Sequence, residues 1–211
     1  MNNLFLRLIS ILLILPFFLY IIYINNIFFF ILLFLILFFS IYEIKFLYDF
    51  NKKLFISLVF LILLFILCLF LLRGSTTHEF YYLLWIMCIV WFSDIGGYVI
   101  GKIFKGKKLT KWSPKKTISG ALGSLLFSQF AIIILQIFIN NINFSLKIFL
   151  IQFLLSFVSI IGDIFFSIIK RKNNIKDYSN IIPGHGGILD RIDGLIFSII
   201  VAFVFKLYDV Y

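Results

Sequence analysis

The chain has 211 residues, is 63% hydrophobic and 20% aromatic, and carries a formal charge of +10. A soluble domain is roughly half apolar, so a mean hydropathy of +1.15 with thirty phenylalanines excludes a water-soluble fold. Lipid accepts apolar surface on every side of a helix, and the composition therefore predicts an all-α, polytopic integral membrane protein.

Polar clusters divide the chain into about seven stretches long enough to be transmembrane helices: 4–24, 27–47, 54–72, 80–100, 120–140, 145–169 and 188–208. The first has one basic residue, Arg7, and no small-x-small cleavage site, which predicts a retained span rather than a signal peptide. Pro16 is expected to kink it. The joints are Asn25 and Asn26, then YEIKFLYDFNKK, RGSTTHE, a long basic GKIFKGKKLTKWSPKKTISG, NNINFS, and KRKNNIKDYSNIIPGHGG. Residues 1–90 read as N-terminal spans and 91–211 as a catalytic region, within one membrane domain. Cys68 and Cys88 lie in apolar runs without CxxC or Cys/His spacing and read as buried free thiols.

Cytoplasmic loops collect lysine and arginine. A cytoplasmic N-terminus puts sixteen of the nineteen basic residues on the inner side and leaves only Arg73, Lys147 and Lys206 outside. Lysines near a bilayer surface also serve as plain anchors to anionic headgroups, each worth on the order of 1 kcal/mol.

An ionised carboxylate at the centre of a span costs at least about 2.5 kcal/mol, so each acid in a span needs a reason. Asp94, Asp163, Asp190 and Asp193 fall within spans or at their inward ends. Asp190 and Asp193 are three apart, on one helix face; Asp163, Ser167 and Lys170 follow i, i+4, i+7 along another. Gathered carboxylates repel or protonate unless cations neutralise them, and oxygen ligands select a hard divalent ion such as Mg²⁺. Lys170, Arg171, Lys176 and Arg191 are suited to phosphate oxygens, so metal and anion together point to a nucleotide. The alternative for each acid alone is an intramembrane salt bridge.

Gly184, Gly186 and Gly187 let backbone approach a ligand, while His185 serves either a phosphate or the turn itself. In WSPKKTISG, residues 112–120, Pro114 stiffens the chain before Lys115 and Lys116. Thr117 or Ser119 is placed to cap the following helix, whose positive end attracts polyphosphate. Gly97 and Gly101 in SDIGGYVIG, and Gly120 with Ser124, have the small-xxx-small spacing of close helix packing, which also leaves a homodimer open.

These residues together resemble a known family. The run Ser167-x-x-Lys170-Arg171, Lys176-Asp177, then PGHGGILDRID (183–193) looks like the signature of the phosphatidate cytidylyltransferase family, and SDIGGYVIGKIFKGKKL with SPKKT resembles its upstream motifs. The resemblance covers about residues 91–194. Ser119 stands where members often carry an acid, and the N-terminal half is shorter than in many members. The resemblance implies transfer of a cytidylyl group from CTP to phosphatidate at the cytoplasmic face, most simply of a bacterial inner membrane, with no nucleic-acid partner. It implies Asp163 and Asp190 as main Mg²⁺ ligands, with Asp193 and Asp94 in or next to that shell and a second metal ion left open. Lys115 and Lys116, flanked by Ser113 and Thr117, fall to nucleotide phosphates. Ser167, Lys170, Arg171, Lys176 and Arg191 fall to phosphate of either substrate, and His185, Gly186 and Gly187 to supporting contacts. A cation or proton transporter would use the same acids, but it has no use for SPKKT or the basic loops.

Overall fold

The computed structural model describes residues 16–45, 47, 51–113, 116–138, 145–181 and 186–208. Residues 16–24 are helical, and seven further α-helices follow. These are α1 (Ile27–Ile44), α2 (Lys52–Arg73), α3 (Thr77–Phe104), α4 (Ile118–Phe127), α5 (Ile132–Phe138), α6 (Leu146–Lys172) and α7 (Leu189–Leu207). Among the described residues the extended pairing is a single bridge, Lys108 with Thr117, inside the basic loop.

The polar joints act as helix starts. Side chains of Asn26, Asn51, Thr117 and Ser145 accept the backbone N–H of Phe28, Leu54, Gly120 and Ile148, satisfying donors that a helix N-terminus leaves free. Of the two residues able to cap α4, Thr117 does so. Among the described residues five segments are long and apolar enough to cross a membrane: α1, α2, α3, the run Ile118–Phe138 and α6. Helix α7 has the length but carries Asp190, Arg191, Asp193 and Lys206, too many charges to be counted with them. The first expected span is described only from residue 16, so the kink at Pro16 involves residues outside the described ones.

Two compact units share the chain. One comprises the described residues of Met1–Phe80 and Lys176–Ile192, the other those of Tyr81–Ile175 and Asp193–Tyr211. In the first, α1 packs on α2. Buried Arg73 closes the C-terminal end of helix 16–24, donating to the carbonyls of Ile22 at 2.6 Å and Tyr23 at 2.7 Å.

In the second unit α3 and α4 touch through small residues: a Cβ on Gly120 would lie 2.8 Å from the Gly97 carbonyl oxygen, and one on Gly97 would lie 2.5 Å from Ser124 Oγ. The two small-xxx-small pairs thus pack against each other within one chain. The expected span 120–140 is interrupted by a 3-10 turn, Ser128–Ala131. In an apolar layer the backbone donors so freed need partners. Buried Gln152 of α6 supplies one: its amide, oriented by its hydrogen bonds, accepts from Ile132 N at 2.9 Å and Trp85 Nε1 at 3.2 Å and donates to Gln129 Oε1 at 3.1 Å. Cys68 and Cys88 are buried free thiols, as expected.

Candidate active site

Helix α6 presents a polar stripe: Gln152, Ser156, Ser159, Asp163 and Lys170 recur at helical spacing along it. Ser156 donates to Ser93 Oγ of α3 at 3.0 Å, and Ser198 of α7 donates to the Leu155 carbonyl of α6 at 3.1 Å. The crossing of α6 with the part of α7 beginning at Asp193 depends on two glycines, each beside an aspartate. A Cβ at Gly162 would stand 2.8 Å from the Asp193 carbonyl oxygen; one at Gly194 would stand 2.5 Å from Ser159 Oγ and 3.2 Å from Asp163 Oδ1. With no side chain at either position, Asp163 and Asp193 come close enough for their carboxyls to interact electrostatically.

Two carboxylates this close repel unless positive charge accompanies them. Lys116, immediately before the N-cap of α4, forms an ion pair with Asp163. Lys170, in the basic last turn of α6, has its Nζ 4.0 Å from Asp193 Oδ2. Asp163 and Lys116 also line a cavity of about 200 Å³ with Asp94, Tyr98, Leu109 and Thr117. This volume is below the roughly 300–1,000 Å³ of sites for drug-sized ligands, enough for a fragment of a nucleotide. Three of the four singled-out acids, Asp94, Asp163 and Asp193, thus lie in one unit with the two lysines.

The same donor set bears on a metal. Among the described residues, no three His, Cys, Asp or Glu side chains gather as a ready-made metal cage. Mg²⁺, however, is ordinarily held by one or two carboxylates, with water and substrate phosphates filling the rest of its shell. Asp163 and Asp193 fit that arrangement. So does Ser159, whose buried hydroxyl has no hydrogen-bond partner.

Asp190 belongs to the other unit. Its Oδ2 accepts the backbone N–H of Tyr178 at 2.9 Å and of Gly187 at 3.0 Å. Gly186, at φ +83°, has a conformation that suits glycine, and a Cβ there would come within 3.1 Å of that same oxygen. Lys176 and Arg191 are exposed. Arg171, also exposed, donates to the Ile175 carbonyl at 3.0 Å. Ser167 is half-buried on α6. Ser113 shapes the turn before α4, its carbonyl accepting Lys116 N at 3.0 Å. Ser119 donates to the Lys105 carbonyl and stands 3.0 Å from Thr117 Oγ1, so the hydroxyl at that position fastens the basic loop to the start of α4. Lys115 and His185 lie outside the described residues.

One residue escaped the sequence reading: Glu43, 3% exposed near the end of α1. Its carboxylate accepts Ile188 N at 2.7 Å, Leu189 N at 2.8 Å and the Ser179 hydroxyl at 2.6 Å. The signal was present. Glu43 is the one acid in an otherwise apolar run, and the argument applied to the aspartates applies to it equally.

Comparison with known proteins adds independent support. The profile described as the cytidylyltransferase family matches residues 45–208. The chain is 42% identical over 128 residues to a protein of Rickettsia conorii named phosphatidate cytidylyltransferase, a match covering 57% of this chain and 56% of the relative. Relatives of the same name in Staphylococcus haemolyticus and Helicobacter pylori are 39% and 35% identical, over 56% and 55% of this chain and 45% and 43% of their own. The chain spans about half the length of the curated relatives it matches.

Proposed function

The chain belongs to the cytidylyltransferase family, and from that membership together with the site we propose that it transfers a cytidylyl group from CTP to phosphatidate, forming CDP-diacylglycerol and releasing pyrophosphate. The observation that carries this reading is the paired carboxyls of Asp163 and Asp193, flanked by Lys116 and Lys170 beside a small cavity. Both reactants are anions. The transfer needs positive charge where they meet and where charge builds on the leaving pyrophosphate, and it needs no protein nucleophile.

In this reading Lys116, at the positive end of α4, and Lys170 bind phosphate oxygens, with Lys115, Arg171, Lys176 and Arg191 adding to the positive field. Asp163 and Asp193 hold Mg²⁺, with Asp94 on the cavity wall and Asp190 as the signature's further acid. The bound ion supplies charge screening between the triphosphate and the lipid phosphate. With an ion there to balance the two acids, Lys116 and Lys170, now paired with them, would be released to bind substrate phosphate. Lipid chains remain in the bilayer while the headgroup reaches the site from its inner face.

The basic loops and the count of inner-side lysines support a cytoplasmic N-terminus and a cytoplasm-facing site in a bacterial inner membrane. A homodimer, if formed, uses faces other than Gly97/Gly101 and Gly120/Ser124, which are occupied within the chain.

The test is direct. Purified protein in lipid nanodiscs, given CTP, phosphatidate and Mg²⁺, is expected to release pyrophosphate and make CDP-diacylglycerol in equal amounts. Transfer to polyprenol phosphate but not to phosphatidate, or no requirement for CTP, overturns the reading.

A further inference from the structure

The glycines of PGHGG were read as room for a ligand. In the structure, the approach to Gly187 is made by a protein side chain. A Cβ at Gly187 would stand 2.5 Å from Glu43 Oε1 and 2.7 Å from its carboxyl carbon, so any other residue displaces that carboxylate. Glu43 comes from α1, 144 positions earlier in the chain than Gly187, and both belong to the same compact unit.

The reason for this long reach is visible at the start of α7. The helix begins at Leu189, and the preceding residue is Ile188, whose side chain has no oxygen with which to cap it. The first N–H groups of a helix need acceptors and carry partial positive charge. Glu43 accepts two of them, from Ile188 and Leu189, and Ser179 adds a hydroxyl to the same carboxylate. Next to it, Asp190 turns back onto Gly187 N and Tyr178 N. The chain from Gly187 to Asp190 is therefore held by two carboxylates, one local and one borrowed from an early span. A buried glutamate in an apolar helix is expensive unless hydrogen-bonded, and among the described residues its hydrogen bonds go to the signature segment and to Ser179 before it.

We propose that Glu43 is a positioning residue: it caps α7 from outside and thereby sets the orientation of the Asp190 carboxylate, the signature's acid in its own unit. Asp190 spends one oxygen on backbone donors, so the direction of its other oxygen follows from where Gly187 and α7 are pinned. Gly187 is glycine so that Glu43 can reach the helix end. This inference rests on the cytidylyltransferase reading for the role of Asp190, but the clamp itself can be read without turnover.

Six proteins test it: wild type, Glu43→Gln, Glu43→Asp, Glu43→Ala, Gly187→Ala and the double variant Glu43→Ala/Gly187→Ala. Hydrogen exchange in nanodiscs is the first readout. Amides of residues 187–190 are expected to exchange at least tenfold faster in Glu43→Gln, with protection of α2 and α6 unchanged. The second readout is kinetic. Glu43→Gln is expected to lower kcat tenfold or more and to raise the Mg²⁺ concentration for half-maximal activity, with KM for phosphatidate within twofold. Glu43→Asp restores part of both. The third is the coupling: Gly187→Ala is expected to be severe in the wild-type background and to add less than twofold to Glu43→Ala, because the group it displaces is gone.

Unchanged exchange at 187–190 in Glu43→Gln overturns the clamp. Independent, multiplicative losses in the double variant overturn the account of Gly187. Faster exchange with unchanged Mg²⁺ dependence reduces Glu43 to a fold-holding residue and also overturns the proposal. A wild type that exchanges as expected but releases no pyrophosphate sinks the function reading instead, leaving the clamp standing.

Discussion

The two units solve the same electrostatic difficulty in opposite ways. In one, Glu43 and Asp190 are satisfied chiefly by backbone N–H groups: Ile188, Leu189, Gly187 and Tyr178 all donate to carboxylate oxygens. In the other, Asp163 and Asp193 face each other and are balanced by the side-chain ammonium groups of Lys116 and Lys170. Backbone dipoles are fixed in the fold and stay where they are when a ligand arrives. A lysine ammonium sits on four rotatable carbons and can withdraw or turn to a phosphate. The first arrangement builds a rigid support; the second leaves carboxylates whose partners are exchangeable, as a loading site for a cation and a polyanion requires.

The largest expected effect comes from removing an acid on the exchangeable side. Asp163→Asn is expected to lower pyrophosphate release by roughly 10²–10³-fold, in line with the loss of one preorganised electrostatic group, while the protein still purifies folded. Turnover within fivefold of wild type breaks the contrast, because Asp163 would then be a structural ion-pair partner of Lys116. Next is Lys170→Met, which leaves Asp193 without its nearby ammonium. A loss of about 10–100-fold is expected, with most of it in KM if Lys170 binds substrate phosphate. A pure stability loss with unchanged kinetics would place Lys170 with the rigid supports.

The packing prediction is smaller. Gly162→Ala puts a methyl 2.8 Å from the Asp193 carbonyl oxygen, a backbone atom that cannot turn aside. Overpacking of this kind costs about 1–3 kcal/mol, and it separates the two carboxyls as the helices shift. Thermal unfolding in nanodiscs and pyrophosphate release should fall together. If only stability falls, the spacing of Asp163 and Asp193 is not what the reaction needs.

Much of this was legible in the sequence because membrane chemistry makes charge conspicuous. The apolar runs announced α1, α2, α3 and α6 to within a few residues, and Asp94, Asp163 and Asp193 stood out because a carboxylate in such a run has to be explained. Two features were passed over, one with no local signal and one whose signal pointed elsewhere. At the break, Ser128–Ala131, Gln152 reaches over from α6 to Ile132 N, Trp85 and Gln129, tertiary partners that no local pattern encodes. Glu43 lay at the edge of a span beside Lys45, where a charge reads as an interfacial residue. What makes it different is burial against residues 188 and 189, which only folding brings to it. The glycines Gly162 and Gly194 beside Asp163 and Asp193 were visible as letters, but their meaning came from the crossing of α6 with α7.

The smallest expected effect sharpens the comparison best, because it removes one partner from the rigid side. Among the described residues Ser179 donates one of three hydrogen bonds to Glu43, at 2.6 Å, and two backbone donors remain when it is gone. A hydrogen bond to a charged group contributes about 1.5–3 kcal/mol when its loss leaves a group unpaired, and less when other donors stay in place. Ser179→Ala is therefore expected to lower stability by about 1 kcal/mol or less and to leave kcat within about twofold. Lys170→Met removes one partner of Asp193 by the same count, yet is expected to cost at least ten times more in activity. Equal losses from the two substitutions would mean that backbone and ammonium partners are interchangeable here, and the division of the acids into a fixed support and a loading site would fail.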